Sequence, residues 1–256
     1  MCKGILLVAL AAFACGCSPG PGPHAPEKKA ELKKAIDFFH VDASTAGTLH
    51  GRIVFHGVKP APKKIAMDTE AACVKAHDGK PVYEESVVVG KKGGLANAFV
   101  YIQKGLEGKT FEPIPLPVML DQHGCMFVPR AIGMQSGQTL DVKNSDTVSH
   151  NIHPMPKNGR EWNEQQSPQS PDLHRKFVRP EVMIPVKCDV HSWMRAYIGV
   201  VEHPYFAVTG EDGSFEMKNV PPGDYTVAVW HEKLGDQTQQ VHLANSANQS
   251  VDFTYQ

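Results

Sequence analysis

Within nine residues, Val186-Lys-Cys188-Asp-Val-His191-Ser-Trp-Met194, the chain places a thiol, an imidazole and a thioether, and His150-Asn151 stands 38 positions before the cysteine. A soft thiolate, two imidazoles and a weak thioether form the ligand set of a mononuclear electron-transfer copper, because that set suits both oxidation states without rearrangement. The expectation is one copper held by His150, Cys188, His191 and Met194. Cys-x-x-His on a tight loop delivers two donors, Met194 swings to an axial position, and His150 arrives from a neighbouring strand. No second cysteine lies near Cys188, which points to one metal rather than two.

Competing roles exist for the same residues. Cys188 is also a candidate disulfide partner of Cys73 or Cys125. Zinc takes Cys and His, but a thioether is a poor zinc ligand and a fourth donor would be needed. His153 is a possible extra ligand, ranked below His150 because a separation of three on an extended strand sends the two side chains to opposite faces. His203 and His231, the latter in Trp230-His231-Glu232, are possible members of a further metal site. Trp193 reads as a packing wall that keeps water off the metal loop.

The elements that must position these groups follow from composition and pattern. The 256 residues allow one large or two modest domains. A formal charge of −1 provides no global field for nucleic acid. Twenty prolines and 22 glycines between short apolar runs predict an all-β chain with many turns, plus one short N-terminal helix. Lys3, the apolar run 5–14 and Ala14-Cys15-Gly16-Cys17 have the layout of a secretory leader too short to span a membrane. A small residue before Cys17 and Ser-Pro-Gly-Pro-Gly-Pro after it resemble a bacterial lipobox, although Ala14 stands where leucine is usual. Cys17 would be the lipidated residue, Cys15 being a poorer choice, and ordinary cleavage without lipid is the bland alternative. The protein is expected to be exported, as a periplasmic or outer-surface lipoprotein of a bacterium tied to the membrane by its lipid. Export leaves Cys73, Cys125 and Cys188, an odd set that suggests one disulfide and one thiol with another task. If Cys188 is a ligand, Cys73 and Cys125 are the pair left over.

Residues 18–46 read as a Pro/Gly spacer followed by a short helix over 27–41, with Leu32, Ala35, Ile36 and Phe39 at helical spacing. From Gly47 the period becomes two. Strands are expected at 48–57, 86–89, 95–102, 125–128, 131–134, 137–144 and 149–153. The proline-rich run 113–120 reads as an edge strand or an irregular one. Residues 154–180 form a long polar loop, and strands at 181–188 and 196–201 flank the metal loop. After residue 203, short strands separated by Gly210-Glu-Asp-Gly213 and Pro221-Pro-Gly-Asp224 read as a small second β-sandwich, with the strand around 49–55 a candidate to be shared with it. The expected organisation is a leader (1–17), a linker with helix (18–46), a metal domain (47–202) and a C-terminal sandwich (203–256).

Ser136-Gly-Gln-Thr-Leu-Asp-Val-Lys-Asn-Ser-Asp-Thr-Val-Ser-His150-Asn, followed by a strand ending in Cys188-x-x-His191, resembles the cupredoxin family of plastocyanin-like domains. The resemblance covers roughly residues 95–202. It implies a Greek-key β-sandwich, one type 1 copper on His150, Cys188, His191 and Met194, and Asn151 as the hydrogen-bonding clamp of the metal loop. Met194 follows His191 at a shorter interval than is usual for that family. Residues 208–227 resemble the carboxypeptidase regulatory-like domain, a transthyretin-type sandwich without catalysis of its own.

No nucleophile–base pair, phosphate loop or paired carboxylate stands out, so no enzyme is expected. The expected function is an electron carrier that docks a cytochrome or another electron-transfer protein. The alternatives are a copper storage or delivery protein, and a surface structural module whose cupredoxin-like site is empty.

Overall fold

The strict alternation at the start of the globular region produces a nine-residue strand, β1 (Gly47–Phe55), whose every second side chain is buried. The computed structural model describes Met1 and residues 36–256. The leader, Cys17, the spacer and the first part of the expected helix lie outside the described residues. Of that helix, residues 36–41 are described and are irregular. Phe39 and Val41 pack instead against the apolar core, and Phe39 N–H donates to the Thr110 carbonyl at 2.7 Å.

The described residues are mostly β, with one short α-helix among them, α1 (Ala71–Ala76). After β1 come β2 (Phe99–Lys104), β3 (Val118–His123), β4 (Met126–Val128), β5 (Ala131–Gln135), β6 (Thr139–Asn144) and β7 (His150–Pro154). They are followed by β8 (Glu164–Gln166), β9 (Leu173–Lys176), β10 (Glu181–Lys187), β11 (Arg195–Val201) and β12 (Phe206–Val208). The last are β13 (Ser214–Val220), β14 (Gly223–His231), β15 (Gly235–Leu243), β16 (Asn248–Ser250) and β17 (Phe253–Tyr255). Among the described residues no helix is long and apolar enough to cross a membrane.

Two cores organise these strands. The sheet β5-β11-β10-β7-β8 and the sheet β4-β3-β6-β9 enclose one, built on Leu120, Phe127, Leu140, Ile152, Ile184 and Ile198. The sheet β12-β2-β14-β15 and the strands β13, β16 and β17 gathered on β1 enclose the other, built on Leu49, Ile53, Val100, Val227 and Phe253. β1 pairs antiparallel with β13 and parallel with β16 and β17, so residues from both ends of the globular region share one sheet. Where the cores adjoin, Phe99 presses on the backbone of Gly133 and Gly199, at which a Cβ would come within 2.7 and 2.6 Å of its ring. Arg130 and Glu232 form a buried ion pair there, and the Tyr197 hydroxyl donates to Glu232 Oε2 at 3.3 Å.

Three expectations about elements are corrected. The segment 154–180 is not loop throughout: β8 and β9 lie within it and pair with β7 and β6. Residues 86–89 make only an isolated bridge, Val89 to Leu95. The proline-rich run becomes a strand only after Pro117, and β3 then lies between β4 and β6 rather than at an edge. Prolines 113, 115 and 117 lack the N–H that a ladder needs, so pairing begins where they stop.

Candidate functional site

β7, the loop after β10 and the β3–β4 hairpin converge at one end of the first core. The loop is tight because Cys188 N–H donates to the Met194 carbonyl at 3.3 Å and Met194 N–H to the His191 carbonyl at 3.0 Å. That turn brings Cys188 and His191 together and leaves Met194 fully buried. His150 comes from β7 beside them, and the three side chains form a buried group with donor atoms within 4.8 Å of one another.

Asn151 clamps the loop. Its Oδ1 accepts from the backbone N–H of Asp189 at 2.7 Å and of Val190 at 3.3 Å, and from the Cys188 thiol at 3.2 Å. The Cys188 sulfur in turn lies 3.5 Å from Asn151 N and 3.4 Å from His191 N, both donors. Burial alone would raise the Cys188 thiol, but His150 and these amides outweigh it and hold it below the usual thiol range.

The histidines form a chain rather than two separate arms. His150 Nε2 lies 2.8 Å from Asp146 Oδ2, and His150 Nδ1 lies 2.9 Å from His191 Nδ1. With both rings neutral, Nε2–H of His150 donates to the carboxylate, and Nδ1–H of His191 donates to the bare Nδ1 of His150. The last nitrogen, His191 Nε2, lies 3.9 Å from Cys73 Sγ. Burial pulls both imidazoles down; Asp146 and Cys188 reverse this at His150, which ends raised, whereas His191 beside it stays lowered.

Asp146 also accepts from Gly124 N–H and Cys125 N–H, each at 2.7 Å. Gly124 and Cys125 are the two loop residues of the β3–β4 hairpin and both have positive φ, 64° and 54°. That is the type I′ geometry of a two-residue hairpin, and it strains a residue with a Cβ such as Cys125. The Asp146 carboxylate satisfies both turn amides and so holds Cys125 in place. Cys125 is bonded to Cys73 of α1 in a disulfide, and the Trp193 indole donates to the Cys125 carbonyl at 3.0 Å.

The expectation of a copper centre, and of an electron carrier built on it, is corrected by this arrangement. Three buried cysteines surround the histidine pair, but Cys73 and Cys125 are joined to each other, so the two groupings that include them offer no thiolate. In the remaining grouping, the facing nitrogens of His150 and His191 are bonded to one another and the Cys188 thiol is held by Asn151. The residues present therefore do not fit an intact type 1 copper site.

The other expected site residues lie elsewhere. His153, half-buried, bonds Asp189 at 2.8 Å and Glu161. His203 Nε2 donates to the Ile102 carbonyl at 2.8 Å, and His231 Nδ1 accepts from Lys233 N–H at 3.3 Å. Among the described residues none of the three joins a close group of metal-binding side chains. Asp146 was missed in the sequence, although its position four before His150, in Asn-Ser-Asp-Thr, was available as a signal.

Comparison with known proteins adds two kinds of likeness. A family model described as "Polysaccharide lyase family 4, domain II" matches residues 179–251. No curated protein matches the chain. Among solved structures, a purple cupredoxin from Nitrosopumilus maritimus is 18% identical over 32% of this chain and 98% of its own, with a TM-score of 0.28. The oxidised plastocyanin of Dryopteris crassirhizoma is 16% identical over 32% of this chain and 99% of its own, TM-score 0.29. A copper-containing nitrite reductase from Thermus scotoductus SA-01 is 19% identical over 39% of this chain but only 25% of its own length, TM-score 0.32.

Proposed function

We propose that this protein is a non-catalytic structural module of the bacterial cell envelope, in which a cupredoxin-like Cys/His cluster serves as an internal lock rather than a metal centre. The observation that carries this reading is the Cys73–Cys125 disulfide at the heart of the cluster. Around it, Asp146, His150, His191, Asn151 and Cys188 satisfy one another by hydrogen bonds and tie α1, the β3–β4 hairpin, β7 and the loop after β10 into one knot. A buried polar network with its members paired rigidifies a fold and specifies one arrangement of it.

The finer architecture belongs to the same proposal. The first core is a Greek-key cupredoxin sandwich, and the strands after residue 203 form a second, carboxypeptidase regulatory-like sandwich completed by β1 and β2. Export and attachment to a membrane through lipid on Cys17 would display both at the envelope. The test is metal content and optical absorption of the oxidised, full-length protein from its native host, with thermal unfolding in the presence and absence of a chelator. Substoichiometric metal and an unchanged melting temperature are expected. One bound metal per chain with an intense visible thiolate band would sink the proposal.

A further inference from the structure

We infer that reduction of the Cys73–Cys125 disulfide converts this lock into a zinc site formed by Cys73, Cys125 and His191. The inference goes beyond the structural-module reading and does not depend on it.

The three donor atoms lie within 4.8 Å of one another and are buried. A tetrahedral zinc with the usual Zn–S and Zn–N lengths sets its ligand atoms roughly 3.6–3.8 Å apart. His191 Nε2 already lies 3.9 Å from Cys73 Sγ. Once their bond is broken, the two sulfurs need only part to non-bonded contact to complete that spacing. The disulfide is what closes the site, since neither sulfur carries a ligating charge while bonded to the other.

The surroundings are those of a prepared ligand set. A zinc-binding imidazole characteristically has its other ring nitrogen held by a partner that fixes tautomer and orientation. Here the Asp146–His150–His191 chain does this: it occupies His191 Nδ1 and leaves the Nε2 lone pair facing the sulfurs. Cys125 is held by the hairpin whose amides Asp146 accepts, and Trp193 packs on the His191 ring at 5.2 Å between centroids. Two thiolates, one imidazole and a water in the fourth position form an ordinary zinc coordination, and zinc, lacking redox chemistry, leaves the dithiol reduced.

The chemistry balances with a dithiol as reductant. One dithiol delivers two electrons and two protons and becomes a disulfide, while Cys73 and Cys125 become thiols. Zinc binding then releases the two thiol protons. Cys188 takes no part.

The test uses the full chain, oxidised and phosphine-reduced under anaerobic conditions, titrated with Zn²⁺ against a chromophoric chelator and with Co²⁺ as an optical probe. Reduced protein is expected to bind one equivalent more zinc than oxidised protein. The cobalt form should show thiolate charge transfer and tetrahedral d–d bands. Cys188→Ser should retain this binding, Cys73→Ser and Cys125→Ser should lose it, and His150→Gln should weaken it about tenfold by releasing the His191 ring. Far-UV circular dichroism of the reduced wild type guards against unfolding: zinc uptake that appears only when β structure is lost overturns the inference. Equal uptake in the two redox states, or loss of the site in Cys188→Ser, overturns it too. Stoichiometric metal in the oxidised chain would instead sink the structural-module reading and leave the reduced site to be judged on its own difference.

Discussion

Asn151 shows how much of this molecule rests on single polar side chains. Its Oδ1 accepts from two backbone amides and one thiol of the loop after β10, and its Nδ2 reaches Asn163 and Asp189. Replacing it with Ala leaves the Asp189 and Val190 amides without that acceptor in a half-buried setting. Each such loss costs roughly 1–3 kcal/mol where water cannot substitute. Asn151→Ala is therefore expected to lower unfolding stability by about 2–4 kcal/mol, read as a lower urea midpoint with an unchanged slope. Asp would keep the acceptor but bring a second carboxylate beside Asp189, so Asn151→Asp should recover only part of the loss. If neither substitution moves the midpoint, the clamp is not a stabilising contact. Asn151 was visible in the sequence through its place after His150; Asp146 offered only its position four before His150, because its contact with the turn is set by a hairpin more than twenty residues away. No period or motif links a carboxylate to a turn that it meets only in the folded chain.

At the scale of elements, the disulfide fastens a six-residue helix to a two-residue hairpin. Its ends are 52 positions apart, and in the chain-entropy account closing such a loop in the unfolded state is worth about 4 kcal/mol. Phosphine reduction without added metal should lower the free energy of unfolding by an amount of that order. Zinc should then restore part of it if the inferred site forms, since a ligand bound only by the folded state stabilises it by mass action. A reduced protein as stable as the oxidised one would show that the native contacts around Cys73 and Cys125 hold α1 and the hairpin unaided. The strands were largely legible, because burial on one face writes a period of two into residues 47–55 and 139–144. α1 was not, since six residues offer less than two turns of pattern and Glu70 caps it without a side-chain bond. β8 and β9 were hidden inside the polar segment 154–180, where three- and four-residue strands carry charged side chains such as Glu164 and Arg175 that pair with each other. The cluster His150, Cys188 and His191 could be assembled from residue types and spacing; its state could not, because spacing does not say that the two imidazoles bond to each other.

Across the whole molecule the seam between the two cores depends on buried polar groups with single solutions. Glu232 is the counter-ion of Arg130 and accepts from Tyr197. Glu232→Gln leaves a buried guanidinium unpaired and should cost roughly 3–5 kcal/mol, whereas replacing both partners with apolar residues of similar volume should cost far less. A double-mutant cycle by denaturant unfolding measures that difference.

His203 and His231 set the response of the same region to acid. Each is buried and held at about 4, well below the ordinary histidine value of 6.5, chiefly because burial disfavours the charged ring. Each also has an acceptor nitrogen engaged by a backbone amide, from Tyr205 at 3.3 Å in one case and Lys233 at 3.3 Å in the other. A proton on either nitrogen would replace that bond with two facing donors. Between pH 6.5 and 4 the unfolded chain therefore binds protons that the folded chain refuses. The stabilisation is complete above 6.5 and is lost as the pH falls toward 4, with a ceiling on the order of 3 kcal/mol per histidine. The contribution of these two rings to the melting temperature should be constant above pH 6.5 and fall on acidification through that window, whereas His150, whose pKa is raised, acts in the opposite sense. His203→Gln, which keeps a donor for the Ile102 carbonyl, and His231→Asn, which keeps an acceptor for Lys233 N–H, should each flatten the fall. A slope identical to wild type in the double variant would assign the acid response to Asp146 and the other carboxylates, whose lowered pKa values act with the same sign but at lower pH.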